Sequence, residues 1–119
     1  MNLIAGNANA TGVLLAGGVQ LALPVPGAPS DALTVGVRAG ALRVHERAGD
    51  LALPGHVELA EISGSDTFVH VATQAGELVA QLTGVHVFAL GASVTLYLNP
   101  AQAYVFGNDG NLLVAPEKN

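Results

Sequence analysis

Apolar and polar residues alternate in short runs along this chain, and no window of a dozen residues keeps apolar positions at three-to-four spacing without a Gly or Pro breaking it. The pattern therefore predicts strands. Residues 13–15 and 19–23 flank Ala16-Gly17-Gly18, a glycine loop suited to a tight first hairpin. Pro24, Pro26, Gly27, Pro29 and Ser30 follow as a stiff loop, because proline withholds the donor that a sheet ladder needs. Residues 33–38 read as a half-buried strand, with Leu33, Val35 and Val37 on one face. The segment 39–51 carries Arg43, His45, Glu46, Arg47 and Asp50 without a clean period, and reads as an exposed connection.

The pattern then sharpens. Residues 57–62 and 67–73 form a predicted hairpin turned by Ser63-Gly64-Ser65-Asp66. Hydrophobic matching sets Leu59 opposite Val69 and Val57 opposite Val71, leaving Glu58 across from His70; the alternative register places Leu59 against His70. Residues 77–82 form the next strand after Ala75-Gly76, with Leu78, Ala80 and Leu82 on one face. Residues 93–99 turn Val94, Leu96 and Leu98 inward and end at Asn99-Pro100. A single helical turn at 100–102, a short strand at 104–106 and an Asn108-Asp109-Gly110-Asn111 turn into 112–114 complete the series. Eight or nine short strands with little or no helix predict an all-β chain, one barrel or two fused small barrels.

Length and composition narrow the classes. At 119 residues the chain has single-domain size, residues 1–119 forming one unit. Charged residues make up 11% of it, against roughly 25% in average soluble domains, and the net charge is −5. That balance argues against a phosphate-tracking nucleic-acid surface, and the low charge points to apolar surface that meets a partner. Fifteen glycines and many alanines account for part of the apolar excess. Without cysteine there is no disulfide framework or thiolate chemistry, which fits a reducing compartment. The stretch 3–23 is interrupted by Asn7, Asn9, Gly12, Gly17, Gly18 and Gln20, so it reads as neither a membrane span nor a signal peptide.

Candidate chemistry is sparse. No Gly-rich loop ends in Gly-Lys-Ser or Gly-Lys-Thr, and the only lysine is Lys118. His45, His56, His70 and His86 are spaced by 11, 14 and 16 residues, which matches no local metal motif and suits surface or rim positions. Ser65, His70 and Asp66 could be drawn as a catalytic triad, but Ser65 and Asp66 fall in a tight turn with no sign of an oxyanion hole. Glu58 and Glu61 point to opposite faces of a regular strand and cannot flank one substrate bond. Phe88, Tyr97 and Tyr104 are too scattered for a base-stacking platform, while Phe68 and Phe106 read as core. The best functional candidate is the Gly64-Ser65-Asp66 turn, a polar loop that a hairpin can present to a partner; its plainer reading is a turn chosen for geometry alone.

Four motifs stand in order along nearly the whole chain: Met1-Asn2-Leu3-Ile4-Ala5-Gly6; Leu33-Thr34-Val35-Gly36-Val37-Arg38; Val57-Glu58-Leu59 through Gly64-Ser65-Asp66-Thr67; and Gly91, Val94, Leu96, Asn99-Pro100 and Val105-Phe106. Together they resemble the C-terminal regulatory domain, built on the transport-associated oligonucleotide/oligosaccharide-binding (OB) fold, of ATP-binding subunits of carbohydrate and glycerol-3-phosphate ABC importers. The family usually continues its arginine strand with Pro-Glu-His or Pro-Glu-Asp, where this chain has Ala39-Gly40-Ala41, and places Asp after the final Phe, where Gly107 stands.

The resemblance implies an OB-fold-like barrel without activity or cofactor of its own, ATP and Mg belonging to the nucleotide-binding domain that this chain lacks. It implies a homodimer inside the importer's ATPase pair, neighbouring permease subunits and, in some members, a docking regulatory protein. It also implies a cytoplasmic position peripheral to the inner membrane, with no direct membrane insertion. Arg38 and Glu58, within the matched motifs, join Gly64, Ser65 and Asp66 as candidate interface or regulatory residues. Met1 coincides with a family methionine, so the chain reads as a segment that begins at the natural junction. The alternative is a small barrel that binds molybdate-type oxyanions through backbone donors and hydroxyls.

Overall fold

The computed structural model describes residues 1–25 and 31–116. Among them the alternating runs form eleven strands: β1 (Asn2–Asn9), β2 (Gly12–Leu15), β3 (Val19–Leu21), β4 (Ala32–Val37), β5 (Leu42–Arg43), β6 (Leu51–Ser63), β7 (Asp66–Thr73), β8 (Gly76–Thr83), β9 (Ser93–Leu98), β10 (Tyr104–Phe106) and β11 (Leu112–Val114). The chain is thus all-β and OB-fold-like, with more strands than the eight or nine expected. Helix is confined to 3₁₀ turns at Ala16–Gly18, Ala39–Ala41 and Pro100–Gln102. The last of these is capped by Asn99, whose side chain accepts from the Ala101 N–H at 3.0 Å, as the Asn-Pro pair suggested.

Two sheets arise, both antiparallel: a six-stranded one ordered β11-β10-β4-β1-β2-β3 and a five-stranded one ordered β5-β9-β6-β7-β8. In the second, β5 and the 3₁₀ turn before it run beside β8, so the sheet curls back to near closure. The inward positions of both sheets feed one core, with Ile4, Val13, Leu21, Val35 and Val105 from the first and Leu53, Val69, Leu78, Leu96 and Leu98 from the second. Leu33, Val35 and Val37, and Leu78, Ala80 and Leu82, are buried as their alternation predicts.

Three expectations change, and a fourth lies largely outside the described residues. The stretch 3–23 has its longest strand where none was expected: β1 lies between β2 and β4, with Ile4 paired to Val35 and Gly6 to Leu15. Its Asn and Gly residues mask the period, and burial of Ile4 and Ala8 rather than intrinsic strand preference fixes it. The loop read at Pro24–Ser30 falls largely on residues 26–30, outside the described residues. Segment 39–51 is not merely an exposed connection, since Leu42 is fully buried in β5 against β9. Within that segment Arg43 Nη2 donates to both Asp50 oxygens at 2.7 Å, and the Arg47 N–H donates to Asp50 at 2.8 Å.

The third change is the hairpin register. Val57 does pair with Val71, but a β-bulge follows, and beyond it Leu59 pairs with His70 and Ala60 with Val69. Glu58 is the extra residue and has no partner across the ladder. Both registers considered from hydrophobic matching therefore coexist in one hairpin, one on each side of the bulge. Between β6 and β7, Gly55 is required by space: a Cβ there would sit 2.7 Å from Val71 Cγ1 and closer still to the Ala72 carbonyl.

The two sheets are joined at their rims by the carboxamide of Asn2. Its Nδ2 donates to the Val79 carbonyl at 2.9 Å and to the Val37 carbonyl at 3.1 Å, while its Oδ1 accepts from the Val79 N–H at 2.8 Å. An amide has the donor and acceptor of a peptide unit, so Asn2 occupies the place of a next strand on β8. Asn2→Ala removes three bonds and leaves the Val79 groups without their partners; a loss of about 1–3 kcal/mol is expected in urea denaturation. An unchanged midpoint would show that the clasp contributes nothing.

Asp50 yields a pH prediction. Burial raises its pKa, but the Arg43 fork, the Arg47 N–H and both guanidinium charges outweigh that and hold it below the ordinary value of 3.8. A depressed folded pKa means the stabilisation is complete above the unfolded value and disappears as pH falls through the folded one. Asp50→Asn is expected to lower stability at neutral pH, with the gap from the parent narrowing below about pH 4. A gap constant with pH contradicts this.

A candidate interaction surface

The hairpin end of the five-stranded sheet gathers most of the residues singled out from the sequence. Gly64 and Ser65 form a two-residue turn, with Ser63 paired to Asp66. Gly64 has φ +61°, the left-handed conformation that such hairpin turns demand. Both residues are exposed, whereas Asp66 is half-buried and accepts from Gln81 Nε2 at 2.9 Å. Glu58 is exposed at the bulge. Arg38 lies apart from this group, at the end of β4, its guanidinium 5.5 Å from the centre of the Tyr104 ring, within cation–π range.

What the sequence reading missed is the segment 84–92, which the turn holds in place. The Gly84 N–H donates to the Ser65 carbonyl at 2.7 Å. Thr67, fully buried, donates its hydroxyl to the Gly84 carbonyl at 2.9 Å and accepts from the His86 N–H at 2.9 Å. At the far end, the Gly91 N–H donates to the Val57 carbonyl and the Val57 N–H to the Ala92 carbonyl. The segment thus crosses from β8 to β6 on the inward side of Thr67 and shuts that end of the barrel. His86 Nε2 donates to the Thr83 carbonyl at 2.8 Å, and its ring stacks on Phe88 at 6.3 Å, while Phe88 packs on the core.

Held at both ends, the segment turns large apolar side chains to solvent. Val87 is 92% exposed and Leu90 73%, with Val85 exposed beside them. On β6 the bulge puts Leu59 outward, and Ile62 is exposed near the turn. Among the described residues no strand beyond β7 pairs with residues 59–63, so this part of β6 is an edge. A grouped apolar rim of this kind marks a contact surface more strongly than scattered exposed residues do. All the charged side chains of β6 to β8, namely Glu58, Glu61, Asp66 and Glu77, are acidic.

The structure does not assemble the hypothetical triad. His70 sits between two carboxylates, its Nε2 3.5 Å from Glu61 and its Nδ1 3.5 Å from Glu77, not beside Ser65. The bulge moves Glu58 out of step, so Leu59 stands directly across from His70 and Glu61, paired with Phe68, reaches His70 along the diagonal. Phe68 and Phe106 are half-buried and stand outside the core; Phe106 stacks with Tyr104 at 6.4 Å. Among the described residues no group of three His, Asp or Glu is placed to hold a metal. Thr67→Val, similar in shape but without the hydroxyl, is expected to cost about 1–3 kcal/mol and to speed hydrogen exchange at the His86 amide. Unchanged exchange at His86 would remove Thr67 as the fastening point of the segment.

A family model described as TOBE domain matches residues 35–106, from within β4 to the end of β10 and well over half of the chain. The chain is 35% identical over 114 residues to the sn-glycerol-3-phosphate import ATP-binding protein UgpC of Chromohalobacter salexigens. That match takes in 92% of this chain and 31% of the relative, so the chain spans about a third of that protein's length. Among solved structures, the cytoplasmic molybdate-binding protein ModG, determined with molybdate bound, superposes with a TM-score of 0.75 at 20% identity, over 87% of this chain and 94% of that one. At that identity the likeness is one of fold. The family model and the extent of the UgpC match lead to one conclusion: this chain belongs to the TOBE domain family.

Proposed function

We propose that the chain is the non-catalytic regulatory and dimerisation domain of an ABC importer's ATP-binding subunit, one that serves sn-glycerol-3-phosphate uptake. The observation that carries this reading is the 35% identity to UgpC, which runs through 92% of this chain. The apolar rim at residues 84–92 supports it, as a domain whose task is contact needs such a surface. In this reading a second copy meets the chain through a barrel face and holds two ATPase subunits together while their nucleotide-binding domains open and close. ATP and Mg are bound by those domains, the permease subunits complete the assembly, and the domain lies on the cytoplasmic side of the inner membrane. Gly64, Ser65, Asp66, Glu58 and Arg38 supply polar contacts for a neighbouring subunit or a regulatory protein. The fold shared with ModG supports a barrel and does not carry molybdate over to this chain.

A chimera tests the proposal. The chain replaces the matching third of UgpC, and glycerol-3-phosphate uptake is measured in cells that lack their own copy. Restored uptake is expected, together with concentration-dependent dimerisation of the isolated chain that Val87→Ser with Leu90→Ser weakens in sedimentation. A chimera that hydrolyses ATP yet restores no uptake would overturn the importer assignment. A chain that stays monomeric through the high micromolar range would overturn the dimer.

A further inference from the structure

A second concavity lies away from the apolar rim, between the turn that precedes β5, the loop that follows it and the Asn99-Pro100 turn. It is a cavity of about 540 Å³ lined by Gly40, Arg43, Arg47, Asp50, Asn99 and Gln102, among others. Its charge is unusual for this molecule. The chain as a whole carries −5, and two of the three arginines among the described residues line this one cavity.

The single acid in the wall is already committed. Both Asp50 oxygens accept from Arg43, one of them also accepts the Arg47 N–H, and the side chain is only 2% exposed. Asp50 therefore cancels Arg43 and fixes the loop, and the Asp50 N–H closes that loop by donating to the Arg47 carbonyl at 3.1 Å. Two guanidinium groups against one carboxylate leave the cavity wall with a net positive charge, and Arg47, exposed and without a side-chain hydrogen bond to Asp50, carries it on a residue whose backbone is anchored at both its N–H and its carbonyl. Ala48 and Gly49 beside it add no bulk. Across the cavity, Asn99 has its Oδ1 occupied by the Ala101 N–H, which leaves its Nδ2 hydrogens available, and Gln102 adds a second amide.

We infer that this cavity is a binding site for a small hydroxylated phosphomonoester, with Arg47 on the phosphate and the amides of Asn99 and Gln102 on the hydroxyls. A planar guanidinium fork suits a phosphate's oxygens. The volume falls in the range of small-molecule sites and exceeds what a bare oxyanion fills. Neutral amides offer both donors and acceptors, which a hydroxylated tail can use. The inference stands on this cavity and is independent of the importer assignment.

The test is an amide-resolved NMR titration of the full chain with glycerol 2-phosphate, inorganic phosphate and glycerol as separate probes, repeated with Arg47→Gln and Arg38→Gln. Saturable shifts at Arg47, Gly49, Asn99 and Gln102 are expected with glycerol 2-phosphate. They should weaken as salt is raised. Binding should fall at least about tenfold in Arg47→Gln, the loss of one charge-assisted contact, and stay unchanged in Arg38→Gln. Four outcomes overturn the inference: no saturable shifts, equal binding of inorganic phosphate, equal binding of glycerol, or an Arg38→Gln loss as large as that of Arg47→Gln. Arg47→Gln leaves the Asp50 contacts to Arg43 and to the backbone intact, so the variant is expected to fold.

Discussion

The architecture depends on closing sheet edges, and a single carboxamide does so at the critical place. A strand at the end of a sheet presents unpaired donors and acceptors, and a small β protein must cover them or close into a barrel. In this chain β8 ends one sheet while β1 and β4 lie inside the other, and Asn2 bonds to Val79 of β8 and Val37 of β4 at once. The bonds to Val79 span 77 residues of sequence. They hold the start of the chain against its second half, so the placement of β1, and with it the pairing partners of β2 and β4, is tied to the barrel. A second close approach reinforces the join, because a Cβ on Gly17 would run into the Gln74 carbonyl at the turn between β7 and β8.

Much of this was legible from alternation. The inward faces of β4, β8 and β9, the turns at Gly64-Ser65 and Asn99-Pro100, and the final hairpin follow from period-two patterning and turn chemistry. What escaped has identifiable causes. Strand β1 is rich in Asn, Ala and Gly, whose local preferences run against a strand, and only contact with two neighbours makes it one. Strand β5 is two residues long, too short for any period to register. The bulge at Glu58 could not be read because hydrophobic matching scored the two registers as alternatives, whereas one extra residue lets the hairpin satisfy both. The turn half of the candidate surface was visible, but segment 84–92 was not. A buried threonine hydroxyl orders that segment, and no sequence pattern announces such a bond.

The bulge also decides what the surface presents. Without it Leu59 would continue the inward series of Leu53 and Val57; with it Ala60 turns to the core and Leu59 to the outside, across from His70. One residue of offset therefore moves a leucine from core to rim, and it brings Glu61 to His70 on the diagonal in place of a direct Glu58–His70 pair. The same offset twists the free half of β6, a common way for an exposed edge to avoid uncontrolled pairing.

Charge placement then constrains how the rim can be used. Two copies that added β6 to β6 edge to edge would bring Glu58 and Glu61 of each against the other, and strands β6 to β8 hold no Lys or Arg to offset them. Edge pairing is thus opposed by like charge. Contact through the side chains of Val85, Val87 and Leu90 carries no such penalty, since residues 84–92 contain no acid and their backbone is fixed at Gly84, His86, Gly91 and Ala92. A segment already anchored at both ends has less entropy to lose when its side chains are covered. The sheet edge is thus guarded by like charge, while the apolar ledge at residues 84–92 carries no charge of its own to repel a second surface.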